Sequence, residues 1–246
     1  MLDKLESKTT YYVKALAINE NGAVGFGEIV QFSTLEEDLK ACPGLTFMED
    51  LDGNVYPTVK IGTQCWMREN LRVTRYQDGS PIFMANDLFS WSQRKEVNAI
   101  IAGAMIKGGK TINGKEEWFY NAYAANDFRG LCPAGWRVPS VADWQTLITY
   151  LGGSEVAGGK IKSTDNLWES PNVEASNDSG FSGLPMGNVS QDGAFENVGK
   201  AAYWWSKPSS VAEARAANIS SGNGRIILTR FRNSSLNIGA SIRCIR

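Results

Sequence analysis

Four cysteines, at positions 42, 65, 132 and 244, limit what this chain can fold into more than any other feature does. No two of them form a Cys-x-x-Cys pair, so the sequence does not predict a zinc ribbon or a thioredoxin-type redox site. Their even number predicts two disulfides in one of three pairings, and four buried free thiols are the alternative. Disulfides form in oxidising compartments, so the cysteines predict a protein of the cell surface, the periplasm or the extracellular space.

The charge composition excludes several classes of function. The chain has 246 residues, with Lys+Arg 25, Asp+Glu 26 and no histidine. This near balance does not predict nucleic-acid binding. Without histidine there is no Ser-His-Asp or Cys-His pair and no histidine-containing metal site. A carboxylate pair or a lysine base stays open as an alternative, but no motif indicates either. We therefore expect no catalytic residue, no metal and no cofactor.

The N-terminus does not match the compartment that the cysteines indicate. Residues 1–8 contain no apolar signal segment, and no run of residues approaches the length of a membrane-spanning helix. We therefore expect the chain to begin within a longer, exported protein and not to span a membrane itself.

The first 34 residues show the pattern of a β-hairpin. Residues 9–18 and 28–34 are rich in β-formers, and the stretch 19–22 between them is typical of a turn. This hairpin resembles the last two strands of a fibronectin type III domain, which implies that residues 1–34 are a C-terminal fragment of one. Residues 35–43 are charged and predict a linker; a hairpin that belongs to the main fold is the alternative. The resemblance is carried by Leu5, Thr10, Tyr12, Val13, Ala17, Asn19, Gly22, Val30, Phe32 and Thr34.

Two helices are predicted in the rest of the chain. The first, over residues 90–106, has an apolar face at helical spacing. The second, over residues 141–151, has Ser140 as its N-cap, Asp143 at its third position and Gly152-Gly153 after its last residue. Both are expected to pack on the core as scaffold. The apolar face of the first helix consists of Val97, Ile100, Ile101, Ala104 and Met105.

Short strands and a long loop complete the predicted secondary structure. Residues 152–200 are rich in Gly, Ser and Asn and predict mostly loop, and so long a loop in a compact domain is often functional. Strands are predicted at residues 55–61, 64–71, 203–206, 225–231 and 238–245. Five tryptophans are expected in the core because Trp is usually mostly buried; they are Trp66, Trp136, Trp144, Trp204 and Trp205.

A series of motifs occurs in order along residues 44–246. The longest is Leu131-Cys132-Pro133-Ala134-Gly135-Trp136-Arg137-Val138-Pro139, and the last is Ser241-Ile242-Arg243-Cys244. Through these motifs the region resembles the Fibrobacter succinogenes major paralogous domain family; it departs from the pattern at Arg137, where the family often has histidine. Other matching motifs are Asp52-Gly53-Asn54-Val55-Tyr56, Gln64-Cys65-Trp66-Met67, Tyr76-x-Asp78-Gly79, Ala157-Gly158-Gly159-Lys160 and Trp204-Trp205-Ser206.

The resemblance implies an architecture and a location. The family looks like a branch of the C-type-lectin-like fold, an α+β domain with small antiparallel sheets, two flanking helices and a long loop region. In that fold Cys132 is expected to pair with Cys244, and Cys42 with Cys65. Members resemble secreted or surface-anchored proteins, lipoproteins among them, of the Bacteroidetes–Fibrobacter group. This implies an extracellular or cell-surface domain, anchored in the outer membrane in the full-length protein.

The resemblance also implies a function, a non-catalytic binding or adhesion module that recognises a glycan or protein ligand through its loop-rich face. A diversified display receptor, a structural spacer, or an enzyme related to sulfatase-modifying factors are the alternatives. Calcium-dependent sugar binding is disfavoured because residues 169–172 only partly match the lectin motif. A mixture of hydrogen-bond donors with one aromatic ring is typical of adaptable binding surfaces. On that basis the predicted ligand-binding residues are Arg215, Asn218, Asn223, Arg225, Arg230, Phe231, Arg232 and Asn233.

Overall fold

The computed structural model describes residues 10–33, 40–92, 104–112, 115–207, 214–231 and 237–246. The chain divides into two compact units, Met1–Leu39 and Lys40–Arg246. The secondary structure of the described residues consists of short, mostly antiparallel strands and a few helices, so the fold is α+β, as the sequence predicts.

The first unit is a β-hairpin. Strand β1 (Thr10–Ile18) pairs antiparallel with strand β2 (Val24–Ser33), so the two predicted strands are confirmed, and the second begins earlier than predicted. The turn is held by Asn19, whose side-chain Oδ1 accepts hydrogen bonds from the backbone N–H groups of Asn21 and Ala23. Its origin in a fibronectin type III domain stays a prediction.

Large apolar side chains of the hairpin are exposed. Side chains alternate between the two faces of a strand, and a register shift after Lys14 changes which residues of β2 share a face with those of β1. A two-stranded hairpin with so little burial is marginal by itself in water. The exposed apolar residues, each between 51% and 67% accessible, are Tyr12, Leu16, Ile18, Val24, Phe26, Ile29 and Val30.

Small sheets form the frame of the second unit. All strand pairs in them are antiparallel except β6 with β7, which is parallel. The three-stranded sheets are β3–β4–β5 (Phe47–Glu49, Val55–Ile61, Gln64–Met67), β6–β7–β8 (Phe83–Ala85, Ala104–Ile112, Lys115–Tyr120) and β11–β12–β13 (Ala201–Ser206, Arg215–Ser220, Ile226–Arg230). The two-stranded sheet consists of β9 (Asn188–Val189) and β10 (Phe195–Glu196).

Helix α3 has the ends that the sequence predicts. Ser140 and Asp143 form a capping box at its N-terminus, and Gly153 donates its backbone N–H to the carbonyl of Ile148 at its C-terminus. Gly152 and Gly153 both have φ near +100°, a conformation that favours glycine. The helices in the described residues are α1 (Leu88–Ser92), α2 (Ala122–Asn126), α3 (Val141–Tyr150) and α4 (Ser154–Ile161).

The prediction of a helix over residues 90–106 is wrong at its C-terminal end. Helix α1 ends at Ser92, and Ala104 and Met105 belong to strand β7, which continues through Gly108-Gly109. Pairing of β7 with β6 on one side and β8 on the other outweighs the helical spacing of the apolar residues. Val97, Ile100 and Ile101 lie outside the described residues.

One further prediction of secondary structure needs correction, and a strand and a helix were missed. Residues 238–245 make only isolated bridges, because their backbone pairs in turn with Val189, Tyr120, Trp204, Trp66 and Arg137 instead of with one strand. Strand β12 and helix α4 were not predicted. Helix α4 contains Gly158-Gly159. Because glycine has a low helix propensity, the local sequence does not predict a helix here.

The core lies on both faces of the β11–β12–β13 sheet. Neighbouring residues of a strand point to opposite faces, so Trp204 packs into one apolar cluster and Trp205 into the other. The five predicted core tryptophans are all buried. The expected disulfides are confirmed, with Cys42 bonded to Cys65 and Cys132 to Cys244. The second closes a loop across 112 residues, which corresponds to roughly 4–5 kcal/mol in the chain-entropy account.

Candidate functional site

The predicted ligand-binding residues spread along the β12–β13 hairpin and do not converge on one point. Arg215 lies opposite Arg230 at one end of the hairpin, whereas Asn223 lies in the turn at the other end. Arg232 and Asn233 lie outside the described residues.

Several of these residues have contacts that stabilise the fold. Asn218 donates from its side-chain amide to the hydroxyl of Thr229, 3.2 Å away. Asn223 accepts the backbone N–H of Arg225 at its side-chain oxygen, which fixes the turn. The ring of Phe231 packs edge-on against Trp205, with 5.2 Å between the ring centroids. Their side chains therefore have structural roles besides any role in binding.

Arg225 borders a surface groove, which we call the β13 groove. Its volume is about 510 Å³, and it lies between β13, the exposed side of α3 and the first turn of α4. Its walls include Ile148, Ile227 and Leu228, and Ile227 is 55% exposed. At the rim Arg225 Nε lies 2.7 Å from a carboxylate oxygen of Glu155, and both side chains are mainly exposed. The groove thus combines apolar walls with a charged rim. From the sequence, helix α3 is expected to serve only as scaffold. In the structure it also forms a wall of this groove.

A second concavity, which we call the Leu51 cavity, has a volume of about 300 Å³. It lies beside two of the family-like motifs, the one that begins at Asp52 and the one that contains Cys132. The sequence does not reveal this cavity, because its walls come from three separate stretches of chain, 49–51, 73–77 and 131–134. Its walls consist of Glu49, Asp50, Leu51, Val73, Arg75, Gln77, Leu131, Cys132, Pro133 and Ala134.

Asp50 holds the turn that forms one wall of the Leu51 cavity. Its buried carboxylate accepts hydrogen bonds from the backbone N–H groups of Asp52 and Asn54 and from the hydroxyl of Tyr56, at 2.6–3.0 Å. The Tyr56 hydroxyl in turn accepts the backbone N–H of Arg72. Burial, aided by the hydrogen bond to Asp50, raises the pKa of Tyr56 far above its usual range. The Asp52-Gly53-Asn54 motif therefore stabilises the turn through its backbone N–H groups. These groups and the Tyr56 hydroxyl saturate the Asp50 carboxylate with donors.

Residues 152–200 form a packed region, organised around a buried lysine. Lys162 is fully buried, and its ammonium donates to the backbone carbonyls of Val173, Ser220 and Asn223. Burial lowers the pKa of Lys162, and the nearby carboxylate of Glu174 opposes this effect. The three carbonyls come from two sequence-distant segments, so one cation joins them. These oxygen atoms thus already have a cation as their partner.

Two glycines let helix α4 approach these segments closely. A Cβ on Gly158 would lie 2.1 Å from the carbonyl oxygen of Arg225, and one on Gly159 would lie 2.3 Å from that of Glu174. Real Cβ atoms do not come so near to backbone oxygen, so no other residue fits here without displacement. The family-like motif at residues 157–160 is therefore explained by packing.

Arg243, from the last of those motifs, lies in the core. It is fully buried, and its guanidinium donates to Asn70 Oδ1 at 2.8 Å and to the backbone carbonyl of Phe181 at 2.6 Å. Asn70 donates from its amide to the buried carboxylate of Glu117. Burial raises the pKa of Glu117, and the hydrogen bond from Asn70 and the charge of Arg243 oppose this. The arginine thus joins the C-terminal segment to the 152–200 region.

Two structural findings limit the chemistry of the described residues. In that part of the chain no group of three or more Cys, Asp or Glu side chains is placed to hold a metal ion. None of the helices there is both long and apolar enough to cross a bilayer.

Comparison with known proteins gives one match. The family model for the Fibrobacter succinogenes major domain matches residues 59–246, which is more than half of the chain. No curated protein and no solved structure matches the chain. The matched range includes all the lining residues of the β13 groove and most of those of the Leu51 cavity.

Proposed function

This chain belongs to the Fibrobacter succinogenes major domain family, and we propose that it is a non-catalytic binding or adhesion module that recognises a glycan or protein ligand outside the cell. The proposal includes a C-type-lectin-like architecture for the second unit, and an origin of the hairpin in a fibronectin type III domain. It also includes anchoring of the full-length protein in the outer membrane.

The disulfides support the proposed location. Cys42–Cys65 and Cys132–Cys244 both join segments that are distant in sequence, and such bonds persist in oxidising compartments. They also support a non-catalytic role, because all four cysteines are bonded and none is a free thiol. The sulfatase-modifying relatives of the lectin-like fold depend on reactive cysteines.

The observation that carries the proposal is the β13 groove. Binding sites are concave, mostly apolar and supplied with a few polar groups that orient the ligand. The groove has apolar walls that include Ile148 and Ile227, and it has Arg225 and Glu155 at its rim. Arginine is enriched among the residues that contribute most to binding at interfaces. Because the Arg225–Glu155 pair is exposed, its separation by an incoming ligand costs little.

A binding screen with the intact chain tests this function. Glycan arrays and a panel of extracellular proteins are probed with and without calcium, and a ligand is expected whose binding does not require calcium. Arg225→Ala and Ile227→Ser are then expected to weaken binding of that ligand about tenfold each, which equals 1.4 kcal/mol. Both residues are exposed, so the thermal unfolding midpoint should not change appreciably.

Lys200→Ala is the matched control because it also removes one exposed basic side chain, and Lys200 lines neither concavity. Unchanged affinity in both groove variants would contradict the proposed location of the site. Conversion of a bound ligand into a product would contradict the non-catalytic function.

A further inference from the structure

We propose that the Leu51 cavity is a second binding site, and that it takes a lysine or arginine side chain from a partner polypeptide. This site is separate from the β13 groove and does not depend on the function proposed there.

The charges of the cavity favour a cation. Three charged side chains line it, Glu49, Asp50 and Arg75. Arg75 pairs with Asp52, at 3.3 Å between Nε and Oδ1, and the Asp50 carboxylate is saturated by the donors of its turn. Glu49 is exposed, and it makes no side-chain hydrogen bond or ion pair with the residues that the structure describes. Glu49 is thus the acid available to a ligand.

The remaining walls suit an aliphatic chain. Val73 and Leu131 are almost fully buried behind the cavity, and Leu51 at its mouth is 57% exposed. Lysine and arginine place their methylene stems along apolar surface and leave the charged group near polar partners. Among the residues that the structure describes, no aromatic side chain lines the cavity, and these walls therefore offer no platform for a sugar ring. Apolar walls with one free carboxylate therefore fit a basic side chain better than a glycan.

The walls are held in place before any ligand arrives. On one side the donors to Asp50 fix the turn that carries Leu51. On the other side Gln77 donates from its side chain to the carbonyl of Cys132, and Cys132 is bonded to Cys244 in the core. A site that is already ordered loses less conformational entropy on binding, which favours even a small ligand.

The surface next to the cavity points to a polypeptide and not to a free amine. In the β3–β4 pair Phe47 lies opposite Pro57, and Glu49 lies opposite Val55, so these four residues share one face. Phe47 and Val55 are each 47% exposed. An exposed apolar surface beside a polar pocket is typical of protein interaction sites. Residues that flank the inserted basic side chain would contact this surface.

The test uses NMR titration of the intact chain with three probes, two capped peptides and one free amine. The probes are Ac-Leu-Lys-Leu-NH2, the same peptide with norleucine in place of lysine, and cadaverine as a free amine. The lysine peptide is expected to shift resonances of Val73 and Leu131, and to bind at least tenfold more tightly than either other probe. Equal binding of the norleucine peptide would overturn the role of the charge. Equal binding of cadaverine would overturn the assignment to a polypeptide.

Variants locate the site and separate it from the β13 groove. Glu49→Gln keeps the size of the side chain, and it should weaken binding of the lysine peptide about tenfold while the unfolding midpoint stays unchanged. Glu155→Gln removes the same charge at the other concavity and should have no effect. Phe47→Ser should weaken the lysine peptide but leave the weak binding of cadaverine unchanged. Loss of peptide binding in Glu155→Gln, with full binding in Glu49→Gln, would refute the Leu51 cavity as the site and leave the β13 groove proposal intact.

Discussion

The N-terminal hairpin and the 152–200 region differ in how well their side chains are buried, and the difference is the opposite of what their sequences suggest. The hairpin has the better local signals, with alternating β-formers and a turn closed by Asn19, yet its large apolar side chains are exposed. Residues 152–200 have the composition of a loop, yet they contain helix α4, the buried Lys162 and the buried Phe181. Local pattern therefore predicts which backbone conformation forms, but it does not predict how well that segment is packed.

The physical difference lies in the partners that each region has. Within the described residues, β1 and β2 pair only with each other, and a pair of strands cannot cover its own faces. In the 152–200 region, carbonyl oxygens from separate segments meet one ammonium, and Phe181 lies against three tryptophans and Arg243. Order in a stretch of irregular backbone requires that its polar groups find partners, and here distant segments supply them.

Removal of one phenylalanine ring from each region tests this comparison most strongly. Phe181→Ala should lower the free energy of unfolding by about 3–5 kcal/mol, because the ring is fully buried and a cavity remains. Phe26→Ala should change it by less than about 0.5 kcal/mol, because that ring is mainly exposed. Urea denaturation followed by tryptophan fluorescence measures both. A loss above about 2 kcal/mol for Phe26→Ala would show that the hairpin is covered by other residues.

Replacement of the buried lysine tests how the irregular region is held. Lys162→Met keeps the approximate length of the side chain but removes the donor to three carbonyls, so we expect a loss of about 3 kcal/mol or more. Lys160→Met is the matched control, since among the described residues the Lys160 ammonium donates to one carbonyl, that of Leu151, and a loss of about 1 kcal/mol is expected. Hydrogen exchange should increase around residues 172–175 in the first variant only. Equal losses in both variants would contradict the role of Lys162 as the joining cation.

The capping box of α3 should contribute less to the free energy of unfolding, and its residues are close together in sequence. Burial alone would raise the pKa of Asp143, but hydrogen bonds from Arg137 and Ser140 lower it to about 2. The unfolded value is near 3.9, so the stabilisation is complete above about pH 4 and is lost as pH falls towards 2. After allowance for solvent screening we expect a contribution of about 1 kcal/mol.

The pH dependence of unfolding of Asp143→Asn measures this contribution. The variant should be less stable than the natural chain at pH 6 and nearly equal to it at pH 2. A difference that stays constant over this range would show that the carboxylate charge contributes nothing.

The sequence predicted two kinds of feature. One kind is stabilised by residues close along the chain, and the other belongs to a pattern that a family shares. Ser140, Asp143 and Gly153 lie within a few residues of the helix ends that they stabilise, so their spacing was sufficient to predict α3. Resemblance to a family predicted the cysteine pairs, which spacing alone left open among three possibilities. The predicted ligand-binding residues remain untested, although Arg225 borders the β13 groove.

What the sequence by itself determined is therefore the α+β composition, the capped helix α3, the N-terminal hairpin and, through the family motifs, the disulfide pairs. Only the tertiary structure decided that Ala104 and Met105 join a sheet, that Lys162 joins two segments through three hydrogen bonds, and that Glu49 borders a cavity. The reason is physical. Helix caps and turns depend on neighbours along the chain, whereas strand partners, buried charges and cavity walls depend on residues that only folding brings together.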